Sequence, residues 1–120
     1  MDRIGQTYSV LTVSAADKFS ASLRTLLPEG QYDPVRAVRD AASARRLLLE
    51  QSFDIVIVNA PLPDEFGTQL ALELSETSGA GVLLLVKAEQ YAELSARLTP
   101  NGILTLQKPT TPQLLTQTLQ

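Results

Sequence analysis

Two uninterrupted apolar runs, Ile55-Val56-Ile57-Val58 and Val82-Leu83-Leu84-Leu85-Val86, constrain the fold of this chain more than any other feature. Each has strand length and lacks the in–out alternation of a strand that shows one face to water. Both faces of each run must therefore be covered, which is the habit of central strands in a parallel sheet layered between helices.

The segments around these runs alternate in the same rhythm. Tyr8 to Val13 reads as a strand, and Asp17 as the N-cap of a helix carrying the stripe Phe19, Leu23, Leu26 and Leu27. Leu27-Pro28-Glu29-Gly30 stops that helix. Tyr32 to Val38 is a weaker strand, and Pro34 within it removes a ladder donor, so it belongs at a sheet edge. Asp40 caps a helix through Ala41, Ala44, Leu47 and Leu48 that ends near Gln51. Pro61 to Gly67 is a loop by its prolines and glycine, and a helix through Leu70, Ala71 and Leu74 ends at Ser78-Gly79. Glu89 to Leu98 is helical, Asn101-Gly102 turns the chain into the strand Ile103–Leu106, and Thr111-Pro112 opens a last helix. That helix carries Leu114, Leu115 and Leu119 and reaches Gln120 with no stop signal, so the protein is expected to continue beyond it.

Five strand–helix pairs predict an α/β, doubly wound, flavodoxin-like domain over residues 8–120, with residues 1–7 as an N-terminal tail. Right-handed crossovers give a five-stranded parallel sheet in the order 2-1-3-4-5, flanked by five helices, with the Pro34 strand at an edge.

Composition excludes several chemistries. The 120 residues contain no Cys and no His, which removes disulfides, thiolate nucleophiles, common zinc sites and a histidine base. A net charge of −3 gives no general attraction to nucleic acid or anionic lipid. No apolar run is long enough to cross a membrane, and the polar N-terminus is unlike a signal peptide, so a cytoplasmic location with no membrane contact is expected. Arg36, Arg39, Arg45 and Arg46 cluster locally and read as a solvated helix face with its preceding loop.

In a doubly wound sheet, ligand chemistry sits beyond the carboxyl ends of the strands. Here that rim holds Ser14 and Ala15, Asn59, Val86 with Lys87, and Lys108. With those residues in place, FDIVIVNAPLPDEFG resembles the strand, acceptor and L-P-x-x-x-G loop of response-regulator receiver domains. LTLQKP is similar to the same family's Lys-Pro strand exit, and Ser14-Ala15 fills the slot of its acidic pair. The resemblance covers nearly the whole chain and implies a CheY-like fold, with a cis peptide between Lys108 and Pro109.

In that family an aspartate attacks a phosphoryl group, Mg²⁺ is held between the acid pair and the acceptor, a lysine balances the phosphoryl oxygens, and a Thr or Ser hydroxyl completes the switch. The nucleophile must be an anionic oxygen, and Mg²⁺ requires hard oxygen ligands. By this resemblance Asn59 occupies the phosphoacceptor position, Ser14 and Ala15 the acidic-pair positions, Val86 the switch hydroxyl and Thr105 the switch aromatic. Lys108 and Pro109 alone persist. The resemblance therefore implies a degenerate pseudo-receiver with no catalytic residue, no metal and no cofactor. Lys108 is expected to bond the Asn59 side-chain oxygen or a backbone carbonyl, and Asp17 and Asp64 are the nearest remaining acids.

Function then moves to the helix faces. The resemblance implies a phosphorylation-independent signalling and dimerisation domain of a bacterial transcriptional response regulator. Its contacts would lie on the face of the fourth helix, fifth strand and fifth helix, with Tyr91, Leu94, Leu98, Leu115 and Leu119 as candidate interface residues. GVLLLVKAEQY and NGILTLQKP resemble most the receivers of ANTAR-type antitermination regulators, so RNA contact would run only through a C-terminal output domain beyond Gln120. Two alternatives stay open: a receiver with a relocated phosphorylation or ligand-binding switch, and a stand-alone protein-interaction adaptor.

Overall fold

A computed structural model describes residues 7–119. Residues 1–6 of the expected tail and Gln120 lie outside the described residues, as do the side chains of Leu114 and Leu119. The elements run β1 (Tyr8–Val13), α1 (Asp17–Leu26), β2 (Tyr32–Val38), α2 (Ala41–Glu50), β3 (Ile55–Asn59), α3 (Thr68–Thr77), β4 (Gly81–Val86), α4 (Ala88–Leu98), a 3₁₀ turn (Thr99–Asn101), β5 (Ile103–Gln107) and α5 (Pro112–Leu119). All strand pairs are parallel, in the order β2-β1-β3-β4-β5.

The two apolar runs are the central strands β3 and β4, covered on both faces as their composition requires. Strand alternation divides their side chains between two cores. Val56, Val58, Val82, Leu84 and Val86 join Leu70, Ala71 and Leu74 of α3 and Leu94 and Leu98 of α4 on one face. Ile57, Leu83 and Leu85 join Leu23 and Leu27 near α1 and Leu115 of α5 on the other. Pro34 lies in β2 at the sheet edge, where its missing N–H breaks no ladder.

Local chemistry explains the helix starts, with one correction. Asp40 caps α2 as expected, its carboxylate accepting from Ser43 N at 2.8 Å. Asp17 is not the cap of α1: the N-cap is Ala16, and Asp17 is the first helical residue, turned outward to pair with Arg39. Acidic charge in a first turn favours the helix through its dipole without a capping bond. On α1, Leu26 is 37% exposed, because the buried line runs Leu23 to Leu27, a step of four.

The expected interface is corrected more substantially. Leu94, Leu98 and Leu115 are 8%, 1% and 0% exposed, so they face inward and stabilise the chain instead of meeting a partner. Tyr91 is half-buried against the α3–α4 core.

Gly67, which ends the L-P-x-x-x-G loop, has φ of 126°, and a β-carbon there would stand 3.0 Å from Val58 Cγ1. Only glycine adopts that backbone without strain. Gly67→Ala is expected to lower unfolding free energy by about 1–3 kcal/mol, the usual magnitude for such strain, read from urea denaturation. Leu98→Ala should cost about 2–5 kcal/mol by the same measurement, as for a leucine truncated in a closed core.

Candidate functional site

The carboxyl ends of β1, β3 and β5 bring Ser14, Asn59 and Lys108 together. Asn59 closes β3, paired in register with Leu85 of β4, so its side chain lies on the α1/α5 face of the sheet at the rim. Ser14 follows β1 and is 2% exposed. Its backbone N–H donates to Val38 O at 2.9 Å, which extends the β1–β2 pairing by one residue and fixes its place. Lys108 follows β5 and donates its backbone N–H to Val86 O at 2.7 Å.

The three side chains form a continuous network. Lys108 Nζ donates to Asn59 Oδ1 at 3.0 Å and also to the Ala60 carbonyl. Asn59 Nδ2 donates to Ser14 Oγ at 3.0 Å, and Ser14 Oγ also accepts from Ala16 N at 3.0 Å. Both partners expected for Lys108 are therefore engaged at once. The amide of Asn59 points its oxygen at the cation and its nitrogen at the hydroxyl, the orientation that satisfies both ends. Ala15, half-buried beside Ser14, adds a methyl and no polar group. The Lys108–Pro109 peptide is cis.

The acids near the rim are engaged elsewhere. Asp64 Oδ1 and Oδ2 accept from Ala41 N and Ala42 N at 3.0 and 2.9 Å, so a loop carboxylate caps α2 beside Asp40. Those backbone bonds hold the Asp64 carboxyl below the usual carboxylate range. Glu65 accepts from Arg45 Nη1 at 2.7 Å and from Leu70 N at 3.2 Å, and Glu73 accepts from Arg45 Nε at 2.9 Å. Asp17 pairs with Arg39. The arginine cluster is thus partly neutralised: Arg39 and Arg45 pair with acids, while Arg36 and Arg46 bond to Gln51 and Ser43.

One expected position, Val86, differs from the geometry. Val86 is fully buried on the α3–α4 face with Val82 and Leu84, opposite the face that carries Asn59. Strand alternation therefore turns it away from the network, and the residue exposed at the β4 exit is Lys87. Thr105 is 3% exposed on β5, and its Oγ1 has no hydrogen-bond partner among the described residues. Its side chain lies on the buried side of β5, three residues before Lys108.

Lys87, which the sequence places at the rim without giving it a role, is the exposed charge at the β4 exit. Val86 pairs with Gln107 across β4 and β5, so Lys87 and Lys108 follow on neighbouring strands. Burial, and after it the charge of Lys87, push the Lys108 ammonium below the ordinary lysine range. The signal for Lys87 lay in the sequence as the first charge after an apolar strand.

Against known proteins, the sequence profile described as the response regulator receiver domain matches residues 10–120. No functionally curated protein matches the sequence. Solved structures are similar over most of their length. The signal receiver domain of a protein assigned as a Luxo repressor from Vibrio parahaemolyticus has a TM-score of 0.83 at 17% identity, covering 94% of this chain and 87% of that one. The signal receiver domain of an HD domain-containing protein from Pseudomonas fluorescens Pf-5 has a TM-score of 0.77 at 27% identity, covering 99% and 86%. A CheY-like response regulator receiver domain protein from Methanospirillum hungatei JF-1 has a TM-score of 0.77 at 19% identity, covering 95% and 91%. With the parallel 2-1-3-4-5 sheet, the rim at its carboxyl edge and a profile match across 10–120, this chain belongs to the response regulator receiver domain family.

Proposed function

We propose that this receiver domain signals without being phosphorylated, as a non-catalytic interaction and dimerisation module. The observation that carries this reading is Asn59. At the end of β3, where the family's acceptor carboxylate is expected, stands a neutral amide whose oxygen binds Lys108 and whose nitrogen binds Ser14. An amide oxygen is no nucleophile for an acyl phosphate, and Ser14 and Ala15 offer no carboxylate to Mg²⁺. The domain binds no cofactor in this reading and works in the cytoplasm.

The partner surface is the face of α4, β5 and α5. Its support is an asymmetry between the two sheet edges. β2 is blunted by Pro34, Asp33 and Arg36, whereas β5 reads Ile-Leu-Thr-Leu-Gln with neither charge nor proline. Native proteins guard exposed edges with charge or proline, so a bare edge fits a covered one. Leu104, 46% exposed on that strand, and half-buried Tyr91 take the contact roles first assigned to the buried leucines. The same reading attaches the domain to a transcriptional regulator with an RNA-binding antitermination segment after Gln120, on the likeness of GVLLLVKAEQY and NGILTLQKP to ANTAR-type receivers. A reading frame coding for a three-helix segment downstream supports it; a stop codon there makes the domain a stand-alone adaptor.

Incubation with Mg²⁺ and acetyl phosphate should leave the intact mass unchanged, and a stoichiometric phosphoryl gain would overturn the reading. Asn59→Asp alone should also stay unlabelled, because the acid-pair positions still lack carboxylates. For the surface, sedimentation at high micromolar concentration should show a dimer, and Leu104→Lys should return it to monomer. A monomeric parent protein would sink the dimer assignment.

A further inference from the structure

The apolar stripe of α2 runs past what the sheet covers. Ala41 and Ala44 are buried in the α3–α4 core and Leu48 is half-buried against it, but Leu49 is 87% exposed. Among the described residues no other large apolar side chain is as open to water. A single exposed leucine is ordinary on a protein surface. Leu49 is not single. Beside it a groove of about 300 Å³ runs between α2 and α3, lined by Leu48 and Leu49 on the α2 side. On the α3 side it is lined by the mostly buried Leu70 and Leu74 and the exposed Thr77. Arg45, Leu48 and Leu49 are spaced i, i+3, i+4, and Leu70, Leu74 and Thr77 i, i+4, i+7, so each side is one face of its helix.

The two ends of the groove differ in charge. Toward the helix N-termini Arg45 bridges α2 and α3, and its guanidinium is already shared between Glu65 and Glu73. The other end holds the C-termini of both helices, which lie together because each helix returns the chain between parallel strands. Neither helix has a basic residue in its last turn. Those turns carry Glu50 and Glu76 instead, both exposed and neither in an ion pair among the described residues. Arg46 bonds Ser43 Oγ, a turn earlier on α2, and Arg36 bonds the side chain of Gln51, so neither arginine offsets the two acids. Helix C-termini add negative charge of their own. The groove is thus apolar along its length and negative at one end.

We propose that the α2–α3 groove receives an amphipathic helix of a partner protein. Its apolar face lies on Leu48, Leu49 and Thr77, and it carries lysine or arginine at the end that meets Glu50 and Glu76. Two helices side by side present the groove into which the i, i+3, i+4 ridge of a third helix packs. Charge selects the occupant: basic residues on the incoming helix complement the two unpaired acids, whereas an anionic lipid surface is repelled by them. No residue of α4, β5 or α5 lines this groove, so the surface is separate from the proposed dimer face and does not depend on it.

The test is an ¹⁵N-resolved titration of the whole chain with a synthetic peptide of about 20 residues, above the length at which isolated helices are marginal. The peptide carries leucines at i, i+3, i+4 and i+7 and two lysines at one end, and its twin carries two glutamates in their place. The expected result is saturable shifts confined to the amides of residues 45–50 and 70–77. The lysine peptide should bind about twofold to fivefold tighter than its twin at low salt, with the gap closing as salt rises. Leu49→Gln should leave the urea midpoint unchanged and weaken binding by about tenfold or more, the equivalent of one leucine left in water. Glu50→Gln together with Glu76→Gln should abolish the preference for the lysine peptide. Shifts that are absent, spread elsewhere or indifferent to Leu49→Gln overturn the proposal, as does equal or tighter binding of the glutamate twin. A fall in the urea midpoint of Leu49→Gln would make Leu49 a folding residue and overturn it too. Self-association of the parent chain that Leu49→Gln abolishes in sedimentation would assign the groove to a second copy instead, against the proposal.

Discussion

Lys108 holds a positive charge at the edge of a hydrophobic sheet, and the chain around it is arranged to make that charge tolerable. Removing an ammonium from water is costly unless its hydrogens find acceptors. The Asn59 side-chain oxygen and the Ala60 carbonyl supply them, and both come from the end of one strand. Asn59 and Ala60 are themselves fixed by β3 pairing with β4, where Asn59 registers with Leu85 and Ala60 N donates to Leu85 O at 3.0 Å. The central strand thus sets the lysine's ligands, and the lysine ties β5 to β3 across β4. Without a neighbouring carboxylate the bond is a cation–dipole contact, weaker than an ion pair but free of a second charge to desolvate.

The same principle orders the loop after β3. In a rim that held a divalent cation, acids would converge and require the metal to offset their repulsion. Here the acids diverge. Asp64 turns back to cap α2, Glu65 turns to Arg45 and to Leu70 N, and Gly67 gives the backbone its return into α3. Each carboxylate meets N–H groups or a guanidinium, and these bonds tie the loop to α2 and α3.

What was legible in the sequence follows the range of the interactions. The buried strands were readable because covering both faces leaves an apolar run, and Pro34 marked the edge because its chemistry is local. Asp40 was readable as a cap for the same reason, since its partner Ser43 is three residues away. Asp64 was not, because it caps a helix that starts 23 residues earlier in the chain. Val86 was misplaced by parity: a shift of one residue along a strand moves a side chain to the opposite face, and only the register of β3 with β4 fixes which face that is. Leu94, Leu98 and Leu115 were offered to a partner because an amphipathic stripe does not say whether its apolar side meets its own sheet or another chain. The Asn59–Lys108 contact was foreseeable because parallel strands end at one rim.

Thr105 and Lys87 differ in how they sit between the rim and the α4–β5 side of the domain. Thr105 is small, buried and without a hydrogen-bond partner among the described residues, and β5 contains no aromatic side chain to swing between two positions. Lys87 is placed differently: its side chain stands at the rim while its backbone is the N-cap of α4, whose first turn is closed by Gln90 N donating to Lys87 O at 3.0 Å. Any change in where Lys87 lies acts on the start of α4 directly. The charge of Lys87 bears on the Lys108 ammonium of the neighbouring strand exit, and Lys87 is fixed to the start of α4.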